Sequence, residues 1–107
     1  MTVWPYQEAV TVVIGGELDH CSAPQVRQQL DDLLMYESVV LVVLDLENLT
    51  FMDSSGIGVL LGRLRTLNAR GGSLSVKGMN PSVEKLFRLS GLDRVIGILD
   101  GRKGGRA

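Results

Sequence analysis

The amino-acid sequence predicts an α/β fold in which helices pack on one small, largely parallel β-sheet. Its 107 residues fit a single domain, since domains most often contain about 100 to 150 residues. Residues 39–46 are almost all apolar, which is the pattern of a strand covered on both faces of a parallel sheet. Apolar residues recur at helical spacing on either side of this run, after Ser22 and after Asp53. Strands that alternate with helices in this order favour the α/β class.

The composition is that of a globular protein without an electrostatic preference for nucleic acid. Hydrophobic residues make up 45% of the chain, charged residues 21%, and the formal net charge is -1. The 11 basic residues are offset by 12 acidic ones spread along the chain, so the basic cluster that would neutralise phosphates is missing. The longest apolar run, 39–44, is far shorter than the roughly 18 residues of a membrane span. We therefore predict neither direct nucleic-acid binding nor membrane binding.

The cysteine content and the termini favour a cytoplasmic protein. Cys21 is the sole cysteine and cannot form an internal disulfide, and the N-terminus lacks the basic and apolar segments of a signal peptide. The glycine-rich end at 101–107 carries three basic residues and little apolar surface to anchor it. We predict that this end is a disordered basic tail, and the alternative is an interaction arm.

The first half of the chain predicts a strand followed by a helix. Residues 10–14 are rich in β-branched side chains and end at Gly15 and Gly16, and a weaker strand is predicted at 3–6. Ser22 is predicted to cap a helix that runs to about Met35, with Gln25 reaching back to the cap. Four apolar residues of this helix recur at spacings of three and four, on a face turned to a core: Val26, Leu30, Leu33 and Leu34.

The second half predicts a central strand at 39–46, a helix after Asp53 that closes at Gly71 and Gly72, and a strand at 73–77. Asn80 and Pro81 are a capping side chain and a first-turn proline, so they predict the start of a last helix. That helix ends at Gly91, and a short strand is predicted at 95–99. The predicted core residues of the last two helices are Ile57, Leu60, Leu61, Leu64, Leu67, Val83, Leu86, Phe87 and Leu89.

The segment Asp53-Ser54-Ser55-Gly56 is the best candidate for a functional site. We expect the central strand to leave the sheet here and turn into a helix, at the carboxyl end of the sheet where ligands and partners gather. Asp53 or Ser54 would cap the helix, which puts Ser55 in its first turn. Gly56 and Gly58 would leave the Ser55 hydroxyl open to a second protein.

A phosphoryl group on Ser55 would suit this position. It would carry a charge of about -1.5 to -2 at the positive end of a helix dipole. A partner docked over the same place would have to bury that charge, which would weaken the complex. The alternative is that Asp53, Ser54 and Ser55 serve only as helix caps and that the glycines serve only close packing.

A second candidate is the polar loop from Gly16 to Ser22. It would follow the first strand and could lie beside the Asp53 loop, with Glu17 and Asp19 as acidic positions. The alternative for this loop is a solvated turn with an N-cap.

The sequence gives little support to an enzyme. His20 and Cys21 are the sole histidine and cysteine, and no carboxylates at ligand spacing complete a zinc site around them. A serine hydrolase elbow, a GxGxxG loop and a Walker A loop are all missing. We therefore predict no catalytic residue, no metal and no cofactor.

Three segments of this sequence resemble a STAS domain of the anti-sigma F factor antagonist (SpoIIAA) family. They are 16–20 (Gly-Glu-Leu-Asp-His), 49–63 around Asp-Ser-Ser-Gly, and 81–92, and the resemblance covers about residues 3–100. It departs at His20-Cys21, where a relative carries a second histidine, and in the basic tail. The resemblance implies one STAS domain with a mixed four- to five-stranded sheet and helices packed on it.

The resemblance also implies a role as an anti-sigma factor antagonist in sporulation. The unmodified protein would bind an anti-sigma factor that is also a serine kinase (SpoIIAB-like) and so release a sigma factor. That kinase would phosphorylate Ser55, and a serine phosphatase (SpoIIE-like) would reset the protein. The partner-binding surface that it implies comprises Gly16, Glu17, Asp19, His20, Ser22, Asp53, Ser54, Ser55, Gly56 and Ile57. The alternative is a non-catalytic STAS subunit of another assembly, in stress signalling or in lipid or anion transport.

Overall fold

Residues 8–99 are described by the computed structural model, and they confirm the predicted α/β class. In chain order the elements are β1 (Glu8–Val13), β2 (Gly16–Leu18), α1 (Ala23–Leu34), β3 (Val39–Asp45), β4 (Leu49–Met52), α2 (Ser54–Ala69), β5 (Ser73–Lys77), α3 (Pro81–Leu89), a 3-10 helix (Leu92–Arg94) and β6 (Gly97–Ile98). The predicted strand at 3–6 and the predicted tail at 101–107 lie outside the described residues.

The larger sheet has the strand order β1-β3-β5-β6, and its strands are parallel. β3 lies in its interior, as the apolar sequence predicted, with Leu44 opposite Val12 on one side and Val76 on the other. Val42 and Leu44 are buried on the face that meets α1 and α2. Leu41 is 41% exposed, however. The prediction that both faces of this strand are covered is therefore wrong for residues 8–99, because α1 and α2 pack on the same face.

A second sheet is formed by β2 and β4, with Leu18 opposite Met52. The prediction that the central strand itself runs into the following helix is wrong. The chain leaves β3 after Asp45, makes a turn in which the Leu49 N–H donates to the Leu46 carbonyl at 3.0 Å, and then forms β4. Leu46 and Leu49 are each 1% exposed, so burial of both side chains holds this turn in place.

The β2–β4 pair is parallel as well. Within residues 8–99 the strands form one sheet of four strands and one of two. No antiparallel pair, which a mixed sheet would contain, occurs between these strands. The larger sheet has the four strands that the prediction of a four- to five-stranded sheet allows, and β2 and β4 form a separate pair beside it.

The starts of α2 and α3 follow the prediction. Asp53 caps α2 by accepting a hydrogen bond from the Ser55 N–H at 2.8 Å. Asn80 caps α3 by accepting one from the Val83 N–H at 2.8 Å. Pro81 follows in the first turn, where its missing N–H would have no helical partner in any case. Local side-chain chemistry is therefore sufficient to place both helix starts.

The end of α2 also lies where the two glycines predict it. Gly71 has a φ of 75°, a left-handed conformation that glycine adopts without strain. The Gly72 N–H donates to the Leu67 carbonyl at 2.8 Å and the Gly71 N–H donates to the Asn68 carbonyl at 3.0 Å. These two bonds satisfy carbonyls that the helix end would otherwise leave unpaired.

Two predictions about the other helices are wrong. Ser22 makes no capping hydrogen bond to α1, and no bond from Gln25 back to it occurs within residues 8–99. The reason is that the chain already turns at Asp19, whose carbonyl accepts from the Ala23 N–H at 2.8 Å. Leu89 is 75% exposed and does not lie on the core face of α3, because it is two residues from buried Phe87 and so points away from it.

Candidate functional site

The loops that follow β2 and β4 meet at one end of the smaller sheet. Parallel strands end on the same edge of a sheet, and Leu18 and Met52, the last residues of β2 and β4, are paired. The two loops therefore start side by side. The Asp53 N–H donates to the Leu18 carbonyl at 3.2 Å, and the His20 N–H donates to the Asp53 carboxylate at 3.3 Å. This confirms that the Gly16–Ser22 loop lies beside the Asp53 loop.

Asp53 joins these loops to the start of α2. Its Oδ1 accepts from the Ser55 N–H at 2.8 Å and its Oδ2 accepts from the His20 N–H at 3.3 Å. The backbone of Asp53 is extended, with φ of -118°, which is the usual geometry of an N-cap. One carboxylate oxygen thus caps α2 and the other holds the loop after β2, so Asp53 has a structural role whether or not it also meets a partner.

Ser54 and Ser55 are the first two residues of α2. The Ser54 side chain is exposed, whereas Ser55 is half-buried. No hydrogen bond described within residues 8–99 uses either hydroxyl. Both are therefore available for chemistry, and neither acts as the cap of the helix.

The glycines after Ser55 differ in what surrounds them. A Cβ on Gly56 would lie 2.6 Å from Met52 Cγ and 2.9 Å from Leu18 Cγ, so this glycine lets α2 pack closely on β2 and β4. A Cβ on Gly58 would meet nothing within 4 Å. The close-packing alternative therefore holds for Gly56, while open space surrounds Gly58. Ile57 is half-buried and packs against the core.

The Asp19 carboxylate organises the first loop. Its Oδ1 accepts from the Cys21 N–H at 2.9 Å and from the Ser22 N–H at 3.0 Å. The Ser22 N–H, with smaller contributions from the Cys21 N–H and the Ser22 hydroxyl, lowers the pKa of Asp19 below its ordinary value. Asp19 therefore holds the turn that leads into α1, while Ser22 occupies the N-cap position without a side-chain capping bond.

The remaining residues of the first loop lie at its surface or inside its hydrogen-bond network. Gly16 and Glu17, which the sequence assigned to the loop, belong to β2 because they pair with β4; both are exposed, and the Gly16 carbonyl accepts from the Thr50 hydroxyl at 3.0 Å. The His20 side chain is exposed. The Ser22 hydroxyl donates to the Glu17 carbonyl at 2.7 Å and so is already engaged within the loop.

A cleft of about 430 Å³ opens between α1 and α2, and Ser55 lines it. We call it the α1–α2 cleft. Its lining residues are His20, Ala23, Pro24, Arg27, Ser55, Gly58, Val59 and Arg63. Arg27 and Arg63 were not among the predicted site residues. The sequence could have indicated Arg63, because it lies two turns after Ser55 on the same helix. It could not have indicated Arg27, because the position of Arg27 depends on how α1 packs on α2.

The described residues show neither a metal-binding cluster nor a membrane-spanning helix. Within residues 8–99, His, Cys, Asp and Glu side chains do not gather in any group of three or more that could hold a metal ion. None of the helices in the same range is long and apolar enough to cross a membrane. The loops at the end of β2 and β4, with the adjoining α1–α2 cleft, are therefore the candidate site.

Comparison with known proteins identifies the family. The sequence model of the STAS domain family matches residues 5–103, so the chain belongs to this family. An anti-sigma F factor antagonist of Paenibacillus polymyxa is 41% identical over 95 residues, which cover 89% of this chain and 81% of that protein. An anti-sigma-B factor antagonist of Listeria monocytogenes is 33% identical over 89 residues, which cover 83% of this chain and 77% of the relative.

The solved structures of SpoIIAA have the same fold. The unphosphorylated anti-sigma factor antagonist SpoIIAA is 35% identical, with a TM-score of 0.78 over 92% of this chain and 84% of that one. The phosphorylated form of Bacillus SpoIIAA, a cell fate determinant, is 34% identical, with a TM-score of 0.70 over 92% of this chain and 86% of that one. The STAS domain that the sequence resembles is thus confirmed as the fold of this chain.

Proposed function

We propose that this protein is an anti-sigma factor antagonist of the SpoIIAA type that is switched by phosphorylation of Ser55. In its unmodified form it binds an anti-sigma factor that is also a serine kinase, and the sigma factor held by that kinase is released. The sigma factor is of the sigma F type, active in sporulation. Such a circuit acts on transcription and therefore operates in the cytoplasm.

The observation that carries the proposal is the position of Ser55. Ser55 is half-buried and lies in the first turn of α2, beside two loops held together by Asp53, and its hydroxyl takes part in none of the hydrogen bonds described within residues 8–99. Ser54 is exposed one residue earlier. The names of relatives add support, since one similar structure is of a phosphorylated protein.

The proposed docking surface consists of the two loops and the start of α2. Its exposed members are Gly16, Glu17, His20 and Ser54, and its half-buried members are Asp19, Ser22, Asp53, Ser55 and Ile57. Gly56 is buried and contributes by letting α2 lie close to β2 and β4. Hydrogen bonds hold this surface in a defined arrangement, because Asp19 and Asp53 accept from backbone N–H groups of the first loop and Asp53 also accepts from the Ser55 N–H at the start of α2.

The switch follows from charge. The Ser55 oxygen attacks the γ-phosphorus of ATP, the bond from that phosphorus to the bridging oxygen breaks, ADP leaves, and the hydroxyl proton passes to a base of the kinase. The phosphoserine then carries about -1.5 to -2 charge. A partner that covers the two loops would have to bury this charge beside Asp53, which weakens the complex. A serine phosphatase restores the hydroxyl, and the chain itself needs no catalytic residue.

The experiment that tests the proposal uses the anti-sigma factor kinase of the same organism with ATP. Intact mass and gel filtration are compared for the wild type, Ser55→Ala and Ser54→Ala. We expect one added phosphoryl group on the wild type and on Ser54→Ala, and none on Ser55→Ala. The kinase complex should persist with Ser55→Ala and dissociate with the phosphorylated proteins. Absence of both binding and phosphorylation in the wild type would refute the proposal and favour a subunit of another assembly.

A further inference from the structure

The charged side chains that line the α1–α2 cleft are both arginines. Arg27 extends from α1 and Arg63 from α2, and no Asp or Glu of residues 8–99 lines the cleft. Arg27 is exposed, whereas the Arg63 side chain is only 14% exposed. Ser55 and Gly58 line the same cleft, and the space beside Gly58 is open. The cleft is therefore positively charged, has open space beside Gly58, and is lined on one side by Ser55.

Arg63 has hydrogen-bonding capacity that the described residues do not use. Its Nε and Nη1 are buried, and no acceptor within residues 8–99 takes a hydrogen bond from either atom. Asp31 Oδ1 lies 3.1 Å from Nε and offsets part of the charge, but its direction does not make a hydrogen bond. A buried guanidinium N–H without an acceptor is unfavourable, so an anion that enters the cleft would satisfy it.

We infer that the α1–α2 cleft holds the phosphoryl group of phosphorylated Ser55, with Arg27 and Arg63 donating hydrogen bonds to its oxygens. The inference rests on the proposed function, since it concerns the phosphorylated state of that same serine. A phosphomonoester dianion presents three acceptor oxygens, and guanidinium groups match them with paired donors. The attached phosphate needs no separate binding step, because Ser55 keeps it at the mouth of the cleft.

The consequence is that phosphorylation draws α1 into the switch. Arg27 lies in the first half of α1, and His20 of the preceding loop lines the same cleft. A phosphate held by Arg27 and Arg63 would therefore occupy the space between the first loop and α2, as well as add charge. Arg27 and Arg63 bind the phosphoryl group after it has been transferred, so they are not catalytic residues.

The test uses the full chain with phosphoserine placed at position 55 by genetic encoding, so that no kinase is needed. The second pKa of the phosphate is read by ³¹P NMR titration between pH 4 and 8. Nearby cations favour the dianion, so we expect the wild-type value to lie at least about half a pH unit below those of Arg27→Gln and Arg63→Gln. Arg65→Gln is the matched control, since Arg65 is an exposed arginine of α2 that does not line the cleft.

Equal titration of the wild type, Arg27→Gln and Arg63→Gln would overturn the inference. A shift in Arg65→Gln as large as that in Arg27→Gln would also overturn it, because it would show only the effect of net charge. Arg27 is exposed, so Arg27→Gln should fold even if Arg63→Gln does not. Failure of the kinase to modify Ser55 would refute the proposed function and leave this titration unaffected, so the two failures are distinguishable.

Discussion

The Asp53 carboxylate accepts a hydrogen bond from the backbone N–H of His20, which is 33 residues earlier in the chain. The bond is 3.3 Å long and joins the loop after β2 to the loop after β4. The other carboxylate oxygen caps α2 through the Ser55 N–H. One side chain thus sets the position of the first loop relative to the serine that we propose is phosphorylated.

Replacement of Asp53 should separate these two contributions. Asp53→Ala removes both accepted hydrogen bonds and should lower the free energy of unfolding by about 1–2 kcal/mol. Asp53→Asn retains one oxygen to cap α2, but its amide nitrogen cannot accept from the His20 N–H, so we expect about half of that loss. Urea denaturation measures both values. Glu37→Ala, which removes an exposed carboxylate, is the control and should change stability by less than about 0.5 kcal/mol. Equal losses in the two Asp53 variants would contradict separate roles for the two oxygens.

Gly56 and Gly62 offer a matched pair of glycine substitutions within α2. A Cβ at position 56 would lie under 3.0 Å from Met52 Cγ and Leu18 Cγ, so those side chains would have to move. Gly56→Ala should therefore cost about 1–3 kcal/mol of stability, as overpacking of a core does. A Cβ at position 62 meets nothing within 4 Å, and Gly62→Ala should stabilise the helix by up to about 1 kcal/mol. Thermal unfolding of both variants checks the prediction, and opposite signs are expected.

Local chemistry made much of this fold predictable from the sequence. The apolar run at 39–46 predicted the interior strand, and Asp53, Asn80 and the Gly71-Gly72 pair predicted helix ends. The strands β2 and β4 were missed, because they contain three and four residues and exist through their pairing with each other. Short strands of this kind depend on tertiary context more than on intrinsic preference.

The site was predictable only in part for the same reason. Asp53 and Ser55 are neighbours in the chain, so capping rules place them correctly relative to each other. We expected the two loops to be adjacent, but their relative position is set by the β2–β4 register, which the sequence did not predict. Arg27 could not be placed beside Ser55, because that proximity depends on how α1 packs against α2.

Arg70 links the ends of two elements, and its removal should be costly. Its guanidinium donates to the Tyr36 and Val39 carbonyls, each at 3.2 Å, and also to the Leu34 carbonyl at the end of α1. Arg70→Met leaves these carbonyls without that donor and should lower the free energy of unfolding by about 2 kcal/mol. Arg70→Lys should recover less than half of the loss, since one ammonium cannot reproduce the forked geometry. Arg65→Met, at an exposed position, is the control in the same denaturation series.

Asp19 should make the stability of the protein depend on pH in the acid range. Backbone N–H groups of Ser22 and Cys21 favour its ionised form, so its pKa is lower in the folded state than in the unfolded chain. The stabilisation is therefore fully present above the unfolded value of about 3.9 and is lost as the pH falls through the lower folded value. Asp19→Asn cannot ionise, so its urea midpoint should lie below that of the wild type at pH 5 to 7, and the gap should narrow below about pH 4. Other carboxylates act in both proteins and cancel in the difference. A gap that stays constant from pH 7 to pH 3 would show that the loop is held by its backbone turn rather than by the charge on Asp19.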